Sequence, residues 1–219
     1  MPKVSEAYIE NKRQEIIDAT HRLCLRKPVS MITMTDIIAE TGMAQGGIYR
    51  YFDGVDDILS GLISRMRSRY DMISETDRIM EEAKGKPVRE TINSICDLLA
   101  DRMEQELMDT QKIMFDLNVL AINDPERVER ILQGIPGQGN MEYLTSRTAE
   151  LWAAGMGSGS IHPVMPIGDI VAFIAAAYNG IEMTCILGAC YGKGPVENIS
   201  LRGLFEVYKV TIAKLLGVE

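Results

Sequence analysis

The stretch from Thr33 to Phe52, TMTDIIAETGMAQGGIYRYF, constrains the fold of this chain more than any other. Thr33 and Asp36 stand in the Thr-x-x-Asp order of a helix N-terminal capping box. The apolar pair Ile37 and Ile38 comes next, and Gly42 stands where a left-handed residue ends one helix and turns the chain. A second short helix is then expected to carry Gln45, Tyr49, Arg50 and Tyr51. Helix, glycine turn and a helix bearing amide, phenol and guanidinium groups make a helix-turn-helix pattern. The second helix of such a pair can lie in the major groove of DNA.

The same residues resemble the N-terminal domain of the TetR family of bacterial transcriptional regulators. The matching positions are Ile16 to Ala19, Thr33-Met34, Ile37, Gly42-Met43, Gly46, Ile48-Tyr49, Tyr51-Phe52 and Leu59. They lie in the first part of the chain; the remainder resembles the family only in length and helical style. The resemblance implies an all-α fold. A three-helix DNA-binding domain with a helix-turn-helix is expected over residues 1–57, and a helical ligand-binding and dimerisation domain over 58–219. It implies a ligand-responsive regulator, most simply a repressor. As a homodimer it would bind a palindromic double-stranded DNA operator and be released by a small-molecule effector. Neither catalysis nor a cofactor is implied.

Several positions depart from the family pattern. Ile38 and Thr41 replace small alanines, Ala44 stands where a Ser or Thr would cap the recognition helix, and Val55 stands where a lysine usually meets a backbone phosphate. Losing one such cation should flatten the salt dependence of DNA binding by about one unit of slope. Asp56 and Asp57 suit the dipole at a helix N-terminus but not a phosphate.

The residues expected to meet DNA come from side-chain chemistry and the family's usage together. The Gln45 amide can pair with adenine, and Arg50 can clamp guanine or a phosphate. Tyr49 is where the family places a tyrosine on a phosphate or a thymine methyl. Gly46 and Gly47 cost helix stability but remove side chains that would hold the backbone away from the groove. Thr33 and Thr35 offer hydroxyls and helix N-terminal amides to the DNA backbone. Ile48 and Phe52 are expected in the core.

The formal net charge is −8, which argues against a non-specific nucleic-acid coat. Residues 1–52 carry +1 and the rest −9. A nearly neutral reader on an acidic body needs an aimed contact face and should bind random DNA weakly. The start, MPKVSEAYIENKRQ, has no apolar leader segment. The four cysteines show no framework spacing, so a reduced, cytoplasmic protein is expected. The most apolar run, Ile170 to Leu187, is interrupted by Asn179, Gly180, Glu182 and Thr184 and reads as a buried helix rather than a membrane span.

Helical periodicity runs nearly throughout, and no alternating strand pattern persists. The helix that starts near Val55, with Ile58, Leu62, Met66 and Tyr70, is expected to continue toward Glu82. Lys84 to Pro87 is a break, with Pro87 suited to a first helical position. Asp124-Pro125 caps a further helix, and 155–166 reads as a Gly/Ser/Pro loop. The last two helices, about 167–190 and 200–216, carry Ala172, Ala175, Ala176, Leu204, Phe205, Tyr208 and Ile212 and are expected to form the dimer surface.

Ligand residues are sought among adaptable, aromatic and misplaced polar side chains of the body. Met103, Met114 and Met183 are pliable apolar liners. Phe115, Trp152 and Tyr178 can stack on a lipophilic ligand. Asn179 and Glu182 are polar residues in an apolar helix, facing either a ligand or a dimer partner. His21 with Cys24 offers at most half a metal site. Gly192-Lys193-Gly194 lacks the Ser or Thr of a phosphate loop. The alternative is a helical small-molecule-binding protein or enzyme of the same fold that has lost DNA binding, motivated by Ala44, Val55 and the acidic balance.

Overall fold

The computed structural model describes residues 5–69, 71–191 and 200–218. Within them the chain is all-α, with no strand. In order, the elements are α1 (Glu6–Arg26), a 3-10 turn (Val29–Met31), α2 (Met34–Thr41), α3 (Gln45–Ile48), α4 (Val55–Arg69), α5 (Met72–Glu82) and α6 (Val88–Glu106). A π-turn (Leu107–Gln111) comes next, then α7 (Lys112–Asn123), α8 (Pro125–Gln133), α9 (Asn140–Ser158), α10 (Ile167–Tyr191) and α11 (Leu201–Leu216). Tyr70 and the Gly192–Gly194 segment fall outside the described residues.

The chain forms two compact units. The first holds α1 to α4 and also α7 and α8, so it is larger than the reader expected over 1–57. Its core is built by Ile16, Ile37, Ile48, Phe52, Ile58 and Leu62, with Ile113, Leu117 and Ile131 returning from α7 and α8. Two bonds fasten the returning hairpin: Ser60 Oγ donates to the Ile131 carbonyl, and Lys112 Nζ donates to the Cys24 carbonyl at 3.1 Å. Burial pushes the Cys24 thiol up to about 12, so it stays a neutral apolar filler.

The second unit holds α5, α6, α9, α10 and α11. Its core includes Ile92, Leu99, Met103, Trp152, Phe205 and Leu216. On its surface Arg202 forks onto Asp101 and Glu104, both at 2.5 Å, which ties α11 to α6. The connection from α9 to α10 passes under the end of α11, where the His162 and Val164 amides donate to Leu216 and Leu215 carbonyls at 2.9 and 3.0 Å. Gly217 ends α11 at φ +61, and a Cβ there would run into the His162 carbonyl oxygen.

Three local expectations change. The helix from Val55 does not run on to Glu82: it ends at Arg69, and the Asp71 carboxylate restarts the chain as α5 by accepting from the Ser74 amide at 2.9 Å. Apolar spacing continues across that joint, which hides it from periodicity. Pro87 is the N-cap of α6 rather than its first residue. The helix α10 is not buried all round: only 22% of its most apolar window is covered, although it is long and apolar enough to cross a membrane by length and composition. Ala172, Phe173, Ala176 and Met183 lie open on it.

Candidate nucleic-acid interface and ligand residues

The turn between α2 and α3 is fixed by its own residues. Thr33 Oγ1 accepts from the Asp36 amide at 3.2 Å, and the Asp36 carboxylate accepts from the Thr33 amide at 2.8 Å, closing the capping box. Such caps contribute about 1 kcal/mol. Lys27 adds an ion pair at 2.7 Å, and with these bonds it holds the Asp36 carboxyl down at about 2. Gly42 takes the left-handed conformation at φ +67. Thr41, a departure from the family, donates to the Ile37 carbonyl at 2.8 Å and accepts from the Met43 amide at 3.2 Å, stapling the exit of the helix.

The recognition element itself is weakly built. The helix α3 has four residues, two of them glycine, and its N-cap Ala44 makes no side-chain bond. Each interior glycine costs about 1 kcal/mol relative to alanine. Tertiary contacts therefore hold this element. Ile48 is fully buried, and Phe52 is buried behind it. From α1, Arg13 lays its guanidinium over the Phe52 ring, 4.1 Å from the centroid, and donates to the Tyr51 carbonyl. Arg22 and Arg26 pair with Glu40 at 2.8 and 2.5 Å, locking α1 onto α2.

The expected reading residues come together on this frame. Gln45, Gly46, Tyr49 and Arg50 are exposed, Tyr49 at 47%, and Gly47 is half-buried. Thr35 is exposed at the start of α2, whereas the Thr33 hydroxyl is engaged, donating to Asp36 at 2.6 Å. Neither Gly46 nor Gly47 needs a positive φ, and a Cβ at Gly46 would meet nothing within 4 Å. The protein's own packing does not demand glycine there.

The acidic start of α4 is used internally. Asp57 accepts from the Asp53 amide at 3.0 Å, and Asp56 pairs with Arg127 of α8 at 2.9 Å. Val55 packs against the core of the first unit, which accounts for an apolar residue at that position. Arg13, Glu40 and Arg127 escaped the sequence reading, since their partners lie far away in the chain.

The expected ligand residues divide between the units. Met114 and Phe115 are half-buried on α7 in the first. Met103 and Trp152 are buried in the core of the second, where the indole Nε1 finds no hydrogen-bond partner among the described residues. Tyr178 packs edge-on to Phe205 at 6.4 Å, and Phe205 in turn edge-on to Tyr208 at 5.9 Å. Asn179 and Met183 lie on the open side of α10, while Glu182 is buried at 5% exposure. Among the described residues no group of three or more metal-ligating side chains converges.

Comparison with known proteins places this geometry. A sequence-family model for bacterial regulatory proteins of the tetR family matches residues 16–62. The HTH-type transcriptional regulator YfiR of Bacillus subtilis (strain 168) is 23% identical over 218 residues, spanning 100% of this chain and 98% of that protein. Among solved structures, Salmonella enterica GusR aligns over 98% of this chain and 99% of its own, with a TM-score of 0.61 and 12% identity. FadR of Bacillus subtilis, solved in complex with stearoyl-CoA, aligns over 94% and 99% with a TM-score of 0.55 and 20% identity.

Proposed function

We propose that the chain is a member of the TetR family of bacterial transcriptional regulators, an effector-responsive repressor acting as a homodimer on a palindromic operator. The observation that carries the proposal is the exposure of Gln45 at the start of α3 and of Tyr49 and Arg50 in the turn that follows it, behind a capped α2 and a left-handed turn. The helix expected to carry all three has already ended at Ile48. Residues 1–57 supply the reader, with Thr33 and Thr35 near the DNA backbone. Residues 58–219 supply the effector site and the dimer contact. The open apolar sides of α10 and α11 support a partner copy there, with Phe173 at 53% and Val207 at 65% exposure. A helical neighbour that holds stearoyl-CoA supports an effector inside the helical body.

In this reading the effector favours a conformation whose recognition elements no longer match successive major grooves. Couplings of this kind are typically about 1–3 kcal/mol. The test is selection from random duplexes with the purified protein, then binding to the recovered site. A palindromic site should emerge, and Arg50→Ala and Tyr49→Ala should each weaken its binding about tenfold or more while leaving the oligomeric state unchanged. No enrichment at low salt would favour the reading in which DNA binding has been lost. Unchanged affinity in both variants would remove them from the interface.

A further inference from the structure

The corner before α2 offers a different donor from the one its sequence suggests. Thr33 has none to spare: its amide and its hydroxyl both go to Asp36 Oδ2, at 2.8 and 2.6 Å. The same oxygen takes a third donor, Lys27 Nζ, at 2.7 Å. Three donors on one oxygen turn the Asp36 charge inward. Lys27 closes α1, and its amide donates to the Leu23 carbonyl at 2.9 Å, which fixes where its side chain starts. That side chain is 32% exposed, and one of its three N–H groups is committed among the described bonds. Thr35 lies exposed in the first turn of α2, next to Asp36.

The other lysine and arginines of α1 are held differently. Arg22 and Arg26 share Glu40 near the end of α2, Lys12 pairs with Glu15 of its own helix, and Arg13 is spent on Tyr51 and Phe52. At the start of α4, Val55 packs against the core and the neighbouring charges are those of Asp56 and Asp57. No ammonium stands at that helix start to meet a phosphate. One does stand at the other end of the helix-turn-helix, and an ammonium that has made one bond still has donors for a phosphate oxygen.

We propose that Lys27 is a phosphate anchor of the DNA interface, placed before α2 where the start of α4 has lost its cation. Asp36 orients the ammonium, and Arg50, in the turn beyond α3, lies at the opposite end of the reader. The inference rests on the reading of the chain as a DNA-binding regulator and adds a contact residue to it.

A phosphate contact carries no base information but releases a counterion. Both consequences are measurable with full-length protein and the duplex recovered by selection. Affinity is followed from about 50 to about 200 mM salt, well below the melting temperature, in wild type, Lys27→Gln and Lys27→Arg. Lys27→Gln keeps a donor for Asp36 and removes the charge. It should flatten the plot of log affinity against log salt by about one unit for each reader bound. It should also weaken binding to the operator and to base-substituted duplexes by the same factor. Lys27→Arg should restore the slope, because it restores the charge. A residue that only props Asp36 would lower the melting temperature and leave the slope alone. In the wild-type protein, the operator should also shield Lys27 from amine acylation, read by mass spectrometry. The proposal is overturned if Lys27→Gln keeps the wild-type slope, if Lys27→Arg fails to restore it, if the loss varies with the operator's bases, or if bound operator leaves Lys27 fully reactive. Recovery of no duplex at all would instead sink the regulator reading, and this contact with it.

Discussion

Arg13 illustrates how one side chain can hold a recognition element that cannot hold itself. Its guanidinium covers the Phe52 ring and satisfies the Tyr51 carbonyl, just past the end of α3. Hydrogen bonds from charged groups contribute about 1.5–3 kcal/mol, and a cation over an aromatic ring about 0.5 kcal/mol when exposed and up to about 2 when shielded from water, as the buried Phe52 ring is here. Arg13→Met keeps most of the bulk but removes donor and charge. It should lower the stability of the first unit by about 1–3 kcal/mol, read in thermal melts, and weaken operator binding at temperatures well below the melt. Arg13→Lys should recover only part, because an ammonium lacks the planar fork. A wild-type melt for Arg13→Met would show that the contact does not hold the turn. Thr33, Asp36 and Gly42 were legible in the sequence because each acts on a residue within four positions. Arg13 was not, because its partner lies 38 positions away and nothing local marks it.

Among the elements, α3 sets stability against access. A Cβ at Gly46 is open on all sides and the backbone there is ordinary helix, so folding gains nothing from the glycine. Gly46→Ala should stabilise the protein by about 0.4–1 kcal/mol, a rise of a few degrees in the melting temperature. The same methyl would stand between the backbone and the floor of a groove, so operator affinity should fall. If affinity is unchanged, the element does not approach DNA as closely as proposed. Periodicity located the helices well wherever a glycine, a proline or a cap marked their ends. It missed the joint between α4 and α5, where one aspartate restarts the helix in the middle of apolar spacing. The π-turn before α7, Leu107–Gln111, carries no glycine or proline to mark it in the sequence. The return of α7 and α8 to the first unit was likewise invisible, since the Ser60–Ile131 and Asp56–Arg127 contacts each span 71 residues.

At the scale of the whole molecule, a reader of near-neutral charge on an acidic body gains little from general electrostatic attraction to DNA. In the proposed homodimer, specific affinity depends on presenting two readers at once. A two-fold dimer does this when its recognition elements are spaced about 34–36 Å apart, one helical turn of the duplex. The open sides of α10 and α11 offer the surface for such a dimer. Val171, Phe173 and Met183 on one helix and Val207 and Val210 on the other are large apolar side chains left in solvent by the isolated chain. An unpaired carboxylate buried in such a contact costs several kcal/mol. Phe173→Glu should therefore leave the helical content of the protein intact, because the residue is not part of either core, yet convert it to a monomer in sedimentation velocity. Operator affinity should fall about a hundredfold or more with it, since a single reader loses the second half-site. A variant that remains dimeric with full affinity would move the interface to another face. Loss of affinity from an intact dimer would instead mean that α10 shapes the spacing of the readers without forming the contact.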